Sequence, residues 1–455
     1  MEVHIETNTI AAIATPLAVG GISIIRISGD DAIEIADKVF KAHSGVLLKD
    51  KKGYSASYGI VNNMDSSVAT VFRAPKSYTG EDVVELSCHG GIYITREILR
   101  SVIESGARLA EPGEFTKRAF LNGKLTLTQA EAVIDMIHSH NRQALNAAKS
   151  ELDGALFKKI QNIKNELLNI AGHLAAWVDY PEEDIEVIEE ENLLSSLKVA
   201  NNTIDKLLKT YDTGKLFKEG IDTVIVGKPN VGKSTLMNLM VGTQKSIVTD
   251  IAGTTRDVIE ESVMLGEVML KLSDTAGIRE TKDIVEQFGV DIAKKKIDTA
   301  MLVLAVFDSS SDISQEDKDI VESLKDKLSI AIINKTDLDS KIDMNFIESH
   351  FKNIVSISAK NATDIKLLED IITKELRLNE VDTSAGMIAN ERQRECALRA
   401  SRYVKESIEA VEFGMTLDAV TVSIEMAIDA LLELTGDRIT TEIVNQVFSH
   451  FCVGK

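Results

Sequence analysis

Apolar residues follow two different periods along the chain, and the change of period divides it into regions. Residues 1 to about 120 carry short apolar runs beside glycine turns, and the run Ile22–Ile27 after a glycine pair predicts a strand. Val68–Phe72 and Val83–Leu86 predict further strands, whereas apolar residues three and four apart predict a helix over Ile92–Glu104. We therefore predict a small α+β domain at the N-terminus.

Two later stretches have the composition of long helices. Leu125–Leu174 is rich in Ala, Leu, Glu, Lys and Gln, which are good helix formers, and this composition returns from about 384 onward. Between them, 219–380 alternates strand-like and helix-like segments, the pattern of a parallel α/β sheet. The simplest organisation is an α/β domain inserted into a helical domain. The predicted boundaries are 1–122 for the N-terminal domain, 123–218 and 381–455 for the helical domain, and 219–380 for the insertion.

The amino-acid composition limits the cellular location and the classes of partner that we expect for the protein. The 455 residues include 51 Lys and Arg against 71 Asp and Glu, and this net charge of −20 disfavours tight, sequence-blind binding of nucleic acid. The longest strongly apolar run, Ala300–Phe307, is far too short to span a bilayer, and the N-terminus lacks a signal-peptide pattern. Cys88, Cys396 and Cys452 stand too far apart to indicate a disulfide framework or a zinc ribbon. We expect a cytoplasmic protein without a membrane partner, with Trp177 and the methionines in its core.

The strongest motif is Gly227–Ser234, which fits the phosphate-loop pattern G-x-x-x-x-G-K-[ST]. It follows the strand-like Asp222–Val226 and precedes a helix-like run that opens at Thr235. In such a loop the backbone N–H groups point at phosphate oxygens, and the helix dipole adds to the field. Lys233 should reach the β- and γ-phosphates, and the Ser234 hydroxyl should bind Mg²⁺.

Three motifs after the phosphate loop extend the site, and each follows a strand-like run. A carboxylate in Asp274–Gly277 can hold Mg²⁺ through water, and Gly277 can offer its N–H to the γ-phosphate. In Asn334–Asp337, Asp337 can accept hydrogen bonds from the N1–H and the 2-amino group of guanine. Adenine lacks both donors, so a buried Asp337 would select GTP. Ser358–Lys360 can close over the base.

The group that would promote hydrolysis is less apparent. The residue after Asp-x-x-Gly is Ile278, which cannot orient water as a Gln does in small GTPases. Asn230 and Thr249–Thr255 could instead hold a monovalent cation beside the phosphates, and Thr255 could bind Mg²⁺. Three acids are candidates that chemistry alone does not rank: Glu280, Asp283 and Glu286. The residues predicted to bind GTP are Asn230, Val231, Gly232, Lys233, Ser234, Thr235, Thr249, Asp250, Ile251, Ala252, Gly253, Thr254, Thr255, Asp274, Thr275, Ala276, Gly277, Asn334, Lys335, Asp337, Ser358, Ala359 and Lys360.

Taken together, these residues resemble the MnmE (TrmE) family of tRNA-modifying GTPases over nearly the whole chain. The most specific pieces are the phosphate loop with Asn230, Thr249–Asp257, Asp274–Gly277 with Arg279, Pro181–Ile185 and Cys452–Lys455. The resemblance implies an N-terminal α+β folate-binding domain, a helical domain, and an inserted P-loop GTPase α/β domain.

The resemblance also implies roles in the inserted domain. It implies K⁺-stimulated GTP hydrolysis when two of these domains meet in a homodimer. The K⁺ ligands would be Asn230, Thr249, Ile251 and Thr254. Glu286 matches the glutamate that orients water, and Arg256, Asp257 and Arg279 match loop residues that take part in activation. The catalytic candidates are therefore these four residues together with Lys233 and Cys452.

In the N-terminal domain the resemblance implies a tetrahydrofolate derivative, 5-formyl or 5,10-methylene. The matching positions are Arg26, Glu85, Lys124 and Lys455, where a carboxylate suits the donor edge of a pterin and the cations suit the glutamyl tail. Cys452 matches a cysteine near the folate. The implied reaction installs a carboxymethylaminomethyl or aminomethyl group at C5 of the wobble uridine (U34) of certain tRNAs. The chain lacks a G-x-G-x-x-G fingerprint, so FAD should arrive on a partner, which in the family is the flavoprotein MnmG (GidA).

Two alternatives belong to other classes. A ribosome-assembly GTPase similar to Era or Der would share the inserted domain, but Era carries a basic KH domain and Der a second phosphate loop. This chain has one phosphate loop and a helical, acidic C-terminal region. A regulatory switch without modification chemistry would leave the N-terminal domain and the Cys-Val-Gly-Lys end without a role.

Overall fold

The computed structural model describes residues 8–179, 190–243, 260–273, 296–362, 364–376 and 382–455. They form two compact units. The first comprises Met1–Ile137, Ala148–Leu208 and Glu391–Lys455, and the second comprises His138–Ala147 and Lys209–Asn390. The first unit contains most of both the predicted N-terminal domain and the predicted helical domain. The division of the chain at 122, 218 and 380 therefore remains a prediction.

Seven strands of the first unit's described residues form one sheet in the order β3-β4-β5-β6-β2-β1-β7. They are β1 (Ile10–Ile13), β2 (Ile22–Ser28), β3 (Phe40–Ala42), β4 (Ser55–Val61), β5 (Asp65–Phe72), β6 (Val83–His89) and β7 (Arg108–Leu109). Helices α1 (Ala32–Val39) and α2 (Ile92–Glu104) pack against one face. Side chains of β5 therefore alternate between buried and accessible positions, because only one face of the sheet is covered by these helices. The helix predicted over Ile92–Glu104 is confirmed.

Five further helices follow the sheet of the first unit along the chain. They are α3 (Glu114–Leu121), α4 (Leu127–Ile137), α5 (Arg142–Leu152), α6 (Ala155–Asp179) and α7 (Glu190–Leu208). The stretch predicted to be helical from its composition is helical because straight-chain residues and alanine lose little rotamer freedom in a helix.

The second unit contains a sheet whose six described strands lie in the order β13-β12-β11-β8-β10-β9. They are β8 (Ile221–Val226), β9 (Glu260–Leu265), β10 (Val268–Ser273), β11 (Leu302–Asp308), β12 (Ser329–Asn334) and β13 (Asn353–Ser356), and β9 alone among them pairs antiparallel. The described helices are α8 (Tyr211–Glu219), α9 (Lys233–Thr243), α10 (Gln315–Ser323), α11 (Met344–His350) and α12 (Ile365–Glu375). The run Ala300–Phe307 forms most of β11, a central strand buried on both faces.

The chain ends in the first unit with α13 (Glu391–Glu412), α14 (Leu417–Thr435) and α15 (Thr441–Ser449). Helices α6, α7, α13 and α14 pack into a four-helix bundle. Among the described helices, none combines the length and the apolar character that a bilayer crossing needs.

The prediction that Trp177 and the methionines lie in the core is wrong for several of them. Trp177 is 40% exposed, and Met64, Met301, Met415 and Met426 are exposed too, whereas Met240, Met269 and Met387 are buried. Trp177 lies near the end of α6, at Asp179, so fewer side chains of its own helix flank the indole ring than at the middle of the helix.

Candidate phosphate and folate sites

The phosphate loop joins β8 to α9, as its sequence context predicts. Asn230 has a left-handed φ of 64°, and Gly232 has a φ of 97°. Asn tolerates this region better than other residues with a side chain, and glycine adopts it without a steric penalty. At Gly227 a Cβ atom would lie 2.5 Å from the carbonyl oxygen of Val306 in β11. The glycines are therefore required by the close approach of the loop to a neighbouring strand and by its left-handed turns.

Lys233 is the first residue of α9 and folds back over the loop. Its Nζ donates hydrogen bonds to the carbonyl oxygens of Gly227 at 2.6 Å and Lys228 at 2.9 Å. Burial lowers the pKa of Lys233 because the ammonium is partly removed from water. A phosphate anion beside it would favour the charged form again, so the loop suits a ligand with negative charge at this position.

Asn334 ties the phosphate loop to the loop that would hold the base. Its Nδ2 donates to the carbonyl oxygen of Val231 at 2.8 Å, and its Oδ1 accepts from the backbone N–H of Ala359 at 3.0 Å. The side chain is only 2% exposed, so its donor and acceptor are both used inside the protein. Asn334 therefore braces the two loops against each other, and its predicted contact with GTP stays a prediction.

We expect Asn334→Asp to weaken GTP binding about tenfold and to destabilise the second unit. The substitution keeps the shape and the acceptor but places a carboxylate oxygen against the carbonyl of Val231. Leaving such a buried group unsatisfied costs about 1–3 kcal/mol. Equilibrium nucleotide binding and thermal unfolding measure the two effects. Asn361→Asp, at an exposed position beyond the same loop, is the matched control, and equal effects at both positions would contradict the bracing role.

Lys335 holds the phosphate loop from the other side. Its Nζ donates to the carbonyl oxygen of Asn230 at 2.7 Å and to Oδ2 of Asp308 at 2.6 Å. Burial alone would raise the pKa of Asp308, but hydrogen bonds from Lys335 and Ser310 outweigh it and lower that pKa. The sequence analysis did not include Asp308 among the candidate residues. An acid at the carboxyl end of a central parallel strand was the signal that could have found it.

A second carboxylate that the sequence analysis missed anchors Lys228. Nζ of Lys228 lies 2.8 Å from Oδ2 of Asp317, whose side chain is 2% exposed. Asp317 also accepts hydrogen bonds from the backbone N–H and the hydroxyl of Ser314, which caps α10. The beginning of the phosphate loop is thereby attached to a rigid helix end.

The loop predicted to recognise guanine places its carboxylate at the surface. The Ser358 hydroxyl donates to Oδ1 of Asp337 at 2.6 Å, and this bond is the main reason that the pKa of Asp337 is lowered. Ser358 lies two residues beyond the end of β13, and Lys360 is exposed nearby. Asp337 is exposed rather than buried in this structure, so the selection of guanine by a buried carboxylate remains a prediction.

Many predicted residues lie outside the part of the chain that the structure describes. They are Thr249, Asp250, Ile251, Ala252, Gly253, Thr254, Thr255, Arg256, Asp257, Asp274, Thr275, Ala276, Gly277, Arg279 and Glu286, together with Pro181–Ile185. Of the predicted metal ligands, Asn230 and Ser234 are described, and Ser234 is exposed in the first turn of α9. A hydroxyl at that position fits the oxygen ligands that Mg²⁺ requires.

In the first unit, two of the four predicted folate residues, Arg26 and Glu85, form an ion pair, and the chain end that carries Lys455 lies against Arg26. Nε of Arg26 donates to Oε1 of Glu85 at 2.9 Å, and Nη1 donates to the carbonyl oxygen of Gly454 at 3.3 Å. Burial lowers the pKa of Lys455, Arg26 lowers it further, and Glu85 raises it, so both charges act on this amine. Lys124 instead donates to the carbonyl oxygen of Pro75 at 3.0 Å.

Aromatic rings that the sequence analysis missed stand beside this cluster. The guanidinium of Arg26 lies 5.4 Å from the ring centre of Tyr78 and 5.6 Å from that of Phe115. The backbone N–H of Gly113 donates to the carbonyl oxygen of Cys452 at 3.3 Å, while the Cys452 side chain is exposed. The C-terminal residues are thus held against the sheet near Arg26 and its two neighbouring rings, of which that of Phe115 is buried.

The parallel sheet, the phosphate loop and the braced base loop define a nucleotide-binding protein of the P-loop class. Residues 9–124 match the family model of the GTP-binding protein TrmE N-terminus, and residues 127–452 match that of the MnmE helical domain. The tRNA modification GTPase MnmE of Lactobacillus helveticus is 41% identical over 99% of both chains. That of Thermoanaerobacter pseudethanolicus is 40% identical over 98% of this chain and 99% of its own. The chain belongs to the MnmE family of tRNA modification GTPases, and it is a GTP hydrolase.

Membership of the family decides between the classes considered from the sequence and sets aside a ribosome-assembly GTPase. A crystal structure of Aquifex aeolicus Era bound to GDP and aluminium fluoride matches 40% of this chain and 66% of its own. The identity is 28% and the TM-score is 0.27, which is too low to carry a conclusion.

Proposed function

We propose that this GTPase works as a K⁺-stimulated homodimer with the flavoprotein MnmG. The complex would install a carboxymethylaminomethyl or aminomethyl group at C5 of the wobble uridine of certain tRNAs, with a folate one-carbon unit as the donor. The observation that carries the proposal is the ion pair of Arg26 with Glu85 and the contact of Arg26 with Gly454, which brings the chain end with Lys455 to the same part of the sheet.

In the second unit, the described residues support binding and orientation of GTP. Lys233 would exchange its carbonyl partners for phosphate oxygens, and Ser234 would hold Mg²⁺, which supplies positive charge to the phosphates. Asp337, fixed by Ser358, would accept hydrogen bonds from the guanine edge. Asn334 and Lys335 would keep the phosphate loop in position. Thr255 completes the proposed Mg²⁺ ligands, and Thr249, Ile251 and Thr254 join Asn230 around K⁺.

Hydrolysis is tested by comparing GTP turnover in K⁺ and in Na⁺ at equal ionic strength. We expect faster turnover in K⁺, because a partly desolvated cation beside the phosphates would stabilise the charge of the transition state. Glu286→Ala should retain GTP binding and lose the K⁺ stimulation, while Glu280→Ala serves as the control. Equal rates in the two salts would exclude a K⁺ site at Asn230.

In the first unit, the cluster has the chemistry of a reduced pterin with a glutamyl tail. Glu85 would accept hydrogen bonds from the pterin donors, and the partly exposed ring of Tyr78 beside Arg26 would supply apolar surface. Arg26 and Lys455 would pair with carboxylates, and Lys124 remains a proposed fourth contact. The role of Cys452 in the chemistry is likewise a proposal. FAD would be supplied by MnmG.

We expect Glu85→Gln to weaken the binding of 5-formyltetrahydrofolate about tenfold, since a hydrogen bond to a charged group contributes about 1.5–3 kcal/mol. Titration calorimetry on the full-length protein measures the change. Glu104→Gln is the matched control, because Glu104 is also a carboxylate paired with an arginine, Arg100, but lies exposed at the end of α2. Unchanged affinity in the Glu85 variant would contradict the folate assignment. That result would leave the assignment of GTP hydrolysis to the second unit unchanged.

A further inference from the structure

The first unit carries a basic segment in a chain that is acidic as a whole. Residues 38–76 contain seven Lys and Arg against two Asp, a net charge of +5, whereas the net charge of the whole chain is −20. The structure describes every residue of this segment, and of its two acids Asp65 is buried and Asp50 is exposed. The segment contains β3, β4 and β5, and β3 is an edge strand of the seven-stranded sheet. This edge of the sheet is therefore locally positive.

The lysines before β4 lie on a turn that the protein holds in place. Arg73, which pairs with Asp82, donates from Nη2 to the carbonyl oxygen of Lys49 at 2.6 Å. Both carboxylate oxygens of Asp37 accept backbone N–H groups from the start of the same turn, at 2.6 and 3.0 Å. Within the part of the chain that the structure describes, the ammonium groups of Lys49 and Lys52 form no ion pair. The backbone of the turn is thus fixed, while its positive charges remain available to a ligand.

Two tyrosine rings lie exposed beside these lysines. Tyr58 in β4 is 59% exposed, and Tyr54, just before β4, is 68% exposed with its ring edge-on to Phe72, 5.5 Å between ring centres. Lys41 of β3 pairs with Ile60 of β4, so its side chain shares the face of Tyr58, which is the face that α1 and α2 leave uncovered. We call this surface the tyrosine–lysine platform, and its residues are Lys41, Lys49, Lys52, Tyr54 and Tyr58.

The platform lies on the same sheet face as the proposed folate site. Ala56, between the two tyrosines, pairs with Thr70 of β5, and Thr70 pairs with Glu85 of β6, so the three side chains project from one face. Neighbouring strands lie about 4.8 Å apart, which places β4 about 10 Å from β6. A ligand on the platform would therefore extend to a one-carbon donor held at Glu85.

The chemistry of the platform favours single-stranded RNA as its occupant. Lysines bind phosphates, and exposed aromatic rings on a sheet stack on unpaired bases. A second copy joined about a twofold axis would set the same lysines against each other, and like charges disfavour such a contact. An acidic protein surface would pair with the lysines but has no bases to stack on the rings. The family of this chain acts on tRNA, whose anticodon loop is single-stranded.

We propose that the tyrosine–lysine platform binds the anticodon loop of the tRNA substrate. This inference rests on the proposed function, in which the reacting base is the wobble uridine of that loop, and it adds the surface and the chemistry of the contact. Tyr54 and Tyr58 would each stack on an unpaired base. Lys41, Lys49 and Lys52 would contact phosphates on either side of the stacked bases.

Stacking is tested with Tyr54→Ala combined with Tyr58→Ala in the full-length protein. The probe is a fluorescent RNA hairpin with the anticodon stem and loop of a tRNA that has a wobble uridine, and fluorescence anisotropy measures its binding. We expect the affinity to fall at least 30-fold, roughly fivefold or more for each stacked base. Tyr54→Phe combined with Tyr58→Phe keeps both rings and should bind within about threefold of the unchanged protein.

The matched control for the tyrosine pair is Tyr93→Ala. Tyr93 is 70% exposed near the start of α2 in the same unit, away from the platform strands. Its replacement should leave hairpin binding unchanged, because an exposed ring outside the platform has no base to stack on. An equal loss at Tyr93 would show that the hairpin does not select the platform and would contradict the proposal.

Phosphate contacts are tested with Lys49→Gln combined with Lys52→Gln, which also tests the platform if the alanine pair fails to fold. Each phosphate contact to a single strand changes the slope of log affinity against log salt by about 0.7, so the slope should become shallower by about 1.4. Lys158→Gln combined with Lys206→Gln, at exposed positions on α6 and α7, is the matched control and should leave the slope unchanged. Thermal unfolding compares the folding of all variants.

The outcomes separate this inference from the proposed function. Hairpin affinities within about twofold of the unchanged protein in both the tyrosine-to-alanine and the lysine variants would overturn the platform. A change in the mass of the free protein in these variants, with hairpin binding intact, would assign the surface to a contact between copies and would also overturn it.

Mass spectrometry of tRNA treated with the protein and the flavoprotein measures the proposed reaction independently. If the unchanged protein modifies the wobble uridine but does not bind the hairpin, the platform is wrong and the proposed function stands. If no modification occurs while hairpin binding depends on both tyrosines, the proposed function is wrong, and the platform remains an RNA-binding surface.

Discussion

Replacing Asp337 by asparagine is expected to lower the affinity for GTP about a thousandfold. Hydrogen bonds from the guanine edge to a charged acceptor are stronger than those to a neutral one, and an amide in place of the carboxylate keeps one neutral acceptor and turns its NH2 group toward the second donor. The Ser358 hydroxyl can still donate to the remaining oxygen, which it now approaches at 2.6 Å. The variant therefore changes the recognition chemistry while the local fold is preserved.

Competition binding measures this change, with GTP compared against xanthosine triphosphate. Xanthine carries an oxygen where guanine has the 2-amino group, so the amide introduced by Asp337→Asn can donate to it, and the preference should shift toward xanthine. Asp339→Asn is the control, because Asp339 is exposed two residues along the same loop. A variant that binds GTP as well as the unchanged protein would show that Asp337 does not recognise the base.

Replacing Gly232 by alanine is expected to reduce GTP binding at least a hundredfold. The added Cβ would lie 2.3 Å from Nδ2 of Asn334, and the φ of 97° is unfavourable for a side chain. Asn334 cannot move aside cheaply, because its hydrogen bonds to Val231 and Ala359 would break. Backbone strain of about 1–3 kcal/mol and a buried unsatisfied group of about 1–3 kcal/mol together amount to about 2–6 kcal/mol, and a hundredfold change corresponds to about 2.8 kcal/mol at about 1.4 kcal/mol per factor of ten.

Equilibrium binding of a fluorescent GTP analogue measures the loss. Gly172→Ala is the matched control, because Gly172 lies within α6 and an added Cβ meets no atom within 4 Å. That substitution should leave GTP binding unchanged and raise stability slightly, since Ala favours a helix over Gly by about 1 kcal/mol. Normal GTP binding by the Gly232 variant would mean that the loop can open without breaking the Asn334 bridge.

The phosphate loop shows how much can be predicted where chemistry is contiguous. Its glycines, Lys233 and Ser234 lie within eight consecutive positions, and the flanking strand and helix follow from local periodicity. Asp308 and Asp317 lie about 80–90 positions further along, and their contacts to Lys335 and Lys228 depend on how strands and helices pack. The place of Asp308 at the end of a strand was a local signal, but no local pattern records the distances from the two acids to Lys335 and Lys228.

The folate cluster illustrates the same limit in another way. Arg26, Glu85 and Lys455 were named from the family resemblance, because spacing alone treats each as a surface charge. The pairing of β2 with β6 sets Arg26 opposite Glu85, and the packing of the C-terminal residues against the sheet adds Lys455. Trp177 was misplaced because burial at the end of a helix depends on how far its neighbours extend.

The sequence by itself determined the class of nucleotide site, the strand and helix pattern and the family, since these rest on local periodicity and on motifs of adjacent residues. The tertiary structure decided which distant charges meet, which side chains brace the phosphate loop, and which large apolar side chains stay exposed. The physical reason is that hydrogen bonds and burial depend on distances in space, and folding brings residues together without regard to their separation along the chain.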